Sequence, residues 1–109
     1  MGRAGEREAC KYLKKKGYQI LETNYRAHYG EADMIAKDNG VIVFVEVKTR
    51  SGDEYGTPAQ AVDKKKQEKY FKIAQEYLIK KSLQDQECRF DVVEIENGQI
   101  NHIIDAFCM

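Results

Sequence analysis

GEADMIAKDNGVIVFVEVKTR, residues 30–50, decides the fold. Asn39-Gly40 is a two-residue loop suited to a type I′ turn between antiparallel strands, and such a turn fixes the register on both sides of it. Asp38 is then expected opposite Val41, Ala36 opposite Val43 and Met34 opposite Val45, with Ile35 facing Phe44 between them. Continued outward, the same register sets Asp33 opposite Glu46 and Glu31 opposite Lys48. Directly opposed antiparallel residues share a sheet face with Cβ atoms about 4.5–5.5 Å apart. Two carboxylates at that separation can grip one divalent cation.

Val41, Val43, Val45 and Val47 line one face of the second strand while Ile42 and Phe44 line the other, the pattern of an interior strand covered on both sides. Ionised groups on such a strand are costly unless paired or coordinated, and Lys48 can pair with only one neighbour at a time. Surplus negative charge implies a cation, so the trio Asp33, Glu46 and Lys48 points to metal-assisted phosphodiester chemistry. The plainer alternative makes Glu46 and Lys48 an ordinary solvated pair at a fraying strand end.

Upstream, Arg3 to Lys16 reads as a helix with Ala9, Tyr12 and Leu13 on one stripe and Gly17 as its stop. Glu6 falls on that stripe, either as a third acid turned toward the packed face or as a first-turn acid favoured by the helix dipole. Tyr18 to Glu22 is the expected first strand, followed by a polar link through Thr23, Asn24 and Tyr25. Downstream, residues 49–56 have loop composition beside the trio. Arg50 and Tyr55 are candidates there for phosphate and base contacts, or parts of an ordinary connection.

Thr57 as N-cap and Pro58 at the first helical position open the next helical region, with a bend expected near Asp63. Tyr70, Ile73, Ala74, Tyr77 and Leu78 mark its buried stripe. Extended backward, the stripe reaches Lys66 and Gln67, which would either orient a water or phosphate or simply snorkel at the helix end. Residues 89–96 and 99–107 form a second hairpin around Asn97-Gly98, expected at the sheet edge. His28, His102, Asp91 and Asp105 are given no catalytic role. Helix, strand, hairpin, helix, hairpin gives an α/β sandwich with a central mixed sheet flanked by helices.

The 109 residues suit one domain spanning 1–109, and 18 Lys plus Arg against 18 Asp plus Glu exclude a strongly basic chain whose charge alone would announce nucleic-acid binding. Basic residues cluster instead at Lys14, Lys15, Lys16 and at Lys64, Lys65, Lys66, Lys69, as positive flanks of an acidic centre or as solvated helix faces. Cys10, Cys88 and Cys108 lack disulfide or zinc spacing, so a reducing cytoplasm is expected. No stretch has the length of a membrane span or the apolar core of a signal peptide.

Gly5-Glu6, GEADMIA over 30–36, VFVEVKTR over 43–50, TPAQAVDKKKQ over 57–67, and the terminal RFDVV and HIIDAF segments resemble the YraN family over nearly the whole chain. That resemblance implies a restriction-endonuclease-like fold, distantly related to archaeal Holliday junction resolvases and other PD-(D/E)xK nucleases. It implies Asp33 and Glu46 as metal-binding acids, Lys48 as the motif lysine, Glu6 as the acid of the first helix and Gln67 as a supporting helix residue. Ala32 stands where the wider superfamily commonly has proline. On this basis Mg²⁺ or Mn²⁺ is expected on Asp33 and Glu46, with help from Glu6 and the Val47 carbonyl, and Glu31 is expected to restrain Lys48. The expected partner is nucleic acid, DNA first, contacted through Arg50, Tyr55, Lys64, Lys65 and Lys66. A homodimer would suit paired cuts on a symmetric junction. The rival expectations are a non-catalytic nucleic-acid-binding or assembly module that keeps the fold, and a purely structural domain.

Overall fold

A computed structural model describes residues 2–50 and 62–108. Helix α1 (Gly2–Lys15) precedes strands β1 (Gln19–Ala27), β2 (Gly30–Asp38) and β3 (Val41–Arg50), and helix α2 (Lys64–Lys80) precedes β4 (Cys88–Glu96) and β5 (Gln99–Phe107). The strands lie side by side in chain order. The β3–β4 pair is parallel and the other three are antiparallel, giving the expected mixed sheet. A parallel pair needs a crossover, and the segment carrying α2 supplies it.

Both two-residue turns form as read. Asn39 and Gly40 have φ of 49° and 85°, and Asn97 and Gly98 have 51° and 78°, the paired positive values that a type I′ turn demands. The first turn sets Asp38, Lys37, Ala36, Ile35 and Met34 against Val41, Ile42, Val43, Phe44 and Val45.

Alternation along β3 then separates two cores. On one face Ala9 and Leu13 of α1 pack with Met34, Ala36, Val43, Val45, Val93 and Ile95. On the other, Tyr70, Ile73, Ala74 and Tyr77 of α2 pack with Ile35, Ile42, Phe44, Phe90, Val92 and Phe107. One helix therefore seals each face of the sheet, as the two apolar stripes require.

Three expectations need correction. β1 does not end at Glu22: it runs on to Ala27 through the supposed link and turns at His28-Tyr29. Tyr25 holds that extension down, its ring edge-on to Tyr77 at 5.1 Å, and a bulge between Ile20 and Glu22 shifts the register against β2. Asp63 is a cap rather than a bend, with extended backbone and a side chain accepting the Lys66 N–H at 2.8 Å. Thr57 and Pro58 lie outside the described residues. Finally, β4 is an interior strand, because β3 and β5 flank it; of this hairpin β5 alone lies at an edge of the sheet.

Candidate active site

The β2–β3 ladder stops at Met34–Val45, one pair short of the expected Asp33–Glu46 opposition. Side chains take over the bonding beyond that point. The Asp33 carboxylate accepts the Val47 N–H at 2.8 Å, where a ladder carbonyl would otherwise serve. The Tyr70 hydroxyl, carried in from α2, donates to Glu46 Oε1 at 2.8 Å, lies 3.4 Å from the Val45 carbonyl, and receives the Asp33 N–H at 3.5 Å. Glu31 pairs with Arg26 on β1, is exposed, and lies beyond the end of the β2–β3 ladder that was expected to set it opposite Lys48. The acid in register with Lys48 is Glu94, across the parallel β3–β4 ladder.

The sharing of one face holds even though direct opposition fails. Ile35 and Phe44 belong to the α2-side core, so strand alternation directs Asp33, Glu46 and Lys48 to that same side. Glu46 is 5% exposed. Burial lifts the Asp33 carboxyl to about 6; the Val47 amide opposes the rise while Glu46 and Glu6 add to it. Burial pushes the Lys66 ammonium down, but its hydrogen bond to Glu46 and the charges of Glu46 and Asp33 leave it raised overall.

Asp33 consequently works against metal-free stability at neutral pH. Its native value of about 6 lies above the ordinary 3.8, so its stabilising contribution is complete below pH 3.8 and is lost as pH rises through about 6. Asp33→Asn keeps an acceptor for the Val47 N–H without the charge. At pH 8 in a chelator it should be more stable than wild type by on the order of 1–3 kcal/mol, with the gap closing at pH 3. Urea unfolding at the two pH values tests this; a variant less stable at pH 8 would contradict it.

The remaining candidates are placed unevenly. Glu6 on α1 is near enough to act on Asp33, and its Oε1 is buried with no hydrogen-bond partner among the described residues. It also lines a cleft of about 220 Å³ with Arg7, Cys10, Thr23 and Asn24. Lys66 reaches inward, its Nζ 2.7 Å from Glu46 Oε2, while Lys64 and Lys65 stay exposed. Gln67 donates its amide to the Val62 carbonyl at 2.7 Å, tying down the entry to α2. Arg50 ends β3, and Tyr55 lies outside the described residues.

Glu6 is held close by its neighbour Gly5. A Cβ at Gly5 would run into Thr49 Oγ1 on β3, and β-branched Thr49 is stiff. Gly5→Ala should therefore cost about 1–3 kcal/mol despite alanine's better helix propensity. Adding Thr49→Ala should restore most of that loss in urea unfolding; a double variant no better than the single one would remove Thr49 as the cause.

Asp33, Glu46, Glu6 and the Val47 carbonyl are hard oxygen donors of the type Mg²⁺ or Mn²⁺ would take, and the buried Glu6 oxygen has no hydrogen-bond partner among the described residues. The acids are not drawn together as an assembled cage: among the described residues no three His, Cys, Asp or Glu side chains converge as a metal cluster. Lys66 supplies the positive charge at Glu46 instead.

Sequence reasoning missed Tyr70 as a polar participant, Glu94, and a second polar cluster on the α1 face. There Asp91, 0% exposed, accepts from Arg89 Nε at 3.0 Å, His102 Nε2 at 2.7 Å, Asp105 N–H at 3.0 Å and the Tyr18 hydroxyl at 3.4 Å. Arg89 also bonds Asp38 at 3.2 Å, and Lys16 reaches His102 Nδ1 at 3.2 Å. The acid at position 91 between Phe90 and Val92 on a β-branched strand was the available signal. The cluster is structural, since the Asp91 and His102 side chains are 0% and 1% exposed. Cys10, Cys88 and Cys108 are unpaired, and no helix among the described residues is long and apolar enough to cross a membrane.

Fold and site together define a small α/β protein with two acids and a lysine on one face of a mixed sheet, beside a helix that closes over them. Residues 5–95 match the Uncharacterised protein family UPF0102, and the chain belongs to that family, the YraN family of the resemblance above. It is 46% identical over 106 residues to a UPF0102 protein of Persephonella marina, covering 97% of this chain and 91% of that one. It is 44% identical over 114 residues to one of Caldanaerobacter subterraneus subsp. tengcongensis, covering 98% and 93%. A UPF0102 protein of Symbiobacterium thermophilum is 49% identical over 98 residues, covering 90% and 83%.

Proposed function

We propose that this chain is a divalent-metal-dependent endonuclease of restriction-endonuclease-like architecture, hydrolysing phosphodiester bonds in DNA, with branched and junction DNA among the candidate substrates. The family description states no activity. The reading rests on one observation: Asp33, Glu46 and Lys48 share a sheet face at the point where the β2–β3 ladder gives way to side-chain bonding.

Asp33 and Glu46 would hold Mg²⁺ or Mn²⁺, with Glu6 and the Val47 carbonyl completing the donor set. An ion held there would supply Lewis-acid polarisation of a phosphate oxygen. Asp33 is aimed by the Val47 amide and Glu46 by Tyr70, so both acids are oriented before any ligand arrives. Lys48 orients or deprotonates the attacking water and offsets charge developing on the phosphate. Lys64 and Lys65, exposed on the first turn of α2, supply sequence-independent phosphate contacts. Cytoplasmic action, and a homodimer on symmetric junctions, complete the proposal.

The ion pair between Lys66 and Glu46 favours one alternative, a nucleic-acid-binding module whose acidic site is satisfied internally. A cleavage panel of four-way, flap, duplex and single-stranded DNA plus RNA, in Mg²⁺ and Mn²⁺, separates the two. Cleavage that Asp33→Ala and Lys48→Ala abolish supports the enzyme. Binding without turnover by wild type supports the module, and cleavage persisting in both variants marks a contaminant.

A further inference from the structure

We propose that Lys66 is the resident counter-cation of the acidic site and that a divalent ion enters by displacing its ammonium from Glu46; the inference rests on the metal-dependent reading above. The Lys66 Nζ lies 2.7 Å from Glu46 Oε2, whereas Oε1 of the same carboxylate is held by Tyr70 at 2.8 Å. Both oxygens are therefore engaged. Mg²⁺ takes carboxylate oxygens at about 2.0–2.1 Å, so an ion on Oε2 and an ammonium at hydrogen-bond distance from that oxygen compete for one position.

The exchange is sterically simple because the two partners differ in exposure. The Lys66 side chain is 39% exposed and that of Glu46 only 6%. The lysine can swing outward into water while the glutamate stays packed under Tyr70. Nothing else in α2 has to move, since the Lys66 backbone is fixed by the Asp63 cap and the helix behind it by Tyr70, Ile73 and Ala74 in the core. The charge balance also favours exchange: Glu46 and Glu6 are both near enough to act on Asp33, and Glu6 Oε1 is buried without a hydrogen-bond partner among the described residues. An ammonium with one reachable acceptor leaves that demand unmet. A divalent ion can draw several oxygens at once.

The role assigned to Lys66 thus differs from that of Lys48. Lys48 remains at the site with the ion bound, while Lys66 holds the acids in its absence and sets how tightly it binds.

Calorimetric titration with MnCl₂ tests this on wild type, Lys66→Met and, as a same-charge control on α2, Lys72→Met. Removing the competitor should tighten Mn²⁺ binding about tenfold or more, the value of a charge-assisted hydrogen bond that no longer has to be broken. Lys72→Met should bind like wild type. Equal or weaker binding by Lys66→Met overturns the proposal while leaving the metal site intact. No binding by any of the three overturns both. Should Lys66→Met fail to fold, wild type decides: saturating Mg²⁺ should speed acylation of the Lys66 amine, read by peptide mass mapping, and an unchanged rate overturns the displacement.

Discussion

Lys48→Ala should slow single-turnover DNA cleavage by about 10²–10⁴, the span associated with loss of a positioned proton-transfer group. That is about 3–5 kcal/mol of barrier. Lys48 lies two residues beyond Glu46 on β3, so pleating directs it to the same face as both acids while Val47 between them turns to the other core. It is half-buried and in register with Glu94 on β4. Lys48→Arg should rescue little, because a guanidinium keeps its charge and cannot accept a proton from water. Mn²⁺ affinity should change far less than the rate, since the acids proposed to hold the ion are untouched. A variant cleaving at the wild-type rate would sink the role, and Lys66, the other amine beside Glu46, would become the candidate.

The rate prediction depends on a strand register that short-range chemistry encodes. Asn39-Gly40 tolerates positive φ at two successive positions, so the turn and five residue pairs beyond it were readable from the chain alone. The face carrying Asp33, Glu46 and Lys48 followed from period-two alternation. What could not be read is where the ladder ends. That depends on Tyr70, 24 residues from Glu46 in sequence, entering as a hydrogen-bond partner as well as a core ring. Helical periodicity marks Tyr70 as buried but does not say what its hydroxyl meets. Lys66 poses the same problem: its inward position was legible, its partner was not. β1 was truncated because Thr23 and Asn24 look like a link, and only packing of Tyr25 against Tyr77 on the distant α2 reveals the strand. Local signals put Asp33, Glu46 and Lys48 on one sheet face. Contacts across the sandwich determined their bonding.

The same limit applies to Asp91, whose loss should be the most damaging single change to stability. In Asp91→Ala, Arg89 and His102, with side chains 18% and 1% exposed, lose the carboxylate both share. The Asp105 N–H, freed by the β5 bulge opposite Phe90 to Val92, loses its acceptor as well. Breaking a buried pair from one side costs about 3–5 kcal/mol. Asp91→Asn should cost less, since an amide still fills the position and accepts one of these bonds. The pH dependence carries the signature of the charge. Burial pushes the Asp91 carboxyl up, but hydrogen bonds from His102, Arg89 and the Asp105 amide, with the Arg89 charge, hold it below the ordinary 3.8. A carboxyl lowered by folding contributes stability that is complete above pH 3.8 and is lost as pH falls through its native value. Guanidinium unfolding should therefore show a wide gap between wild type and Asp91→Asn at pH 7 that narrows below about pH 4. A gap constant across that range would mean the carboxylate acts through shape alone. Because Asp91 faces the α1 core, on the side of the sheet opposite Asp33 and Glu46, the folded fraction of Asp91→Asn should still bind Mn²⁺ with wild-type affinity. Lost affinity in folded protein would show that the two polar clusters are coupled through β3 and β4.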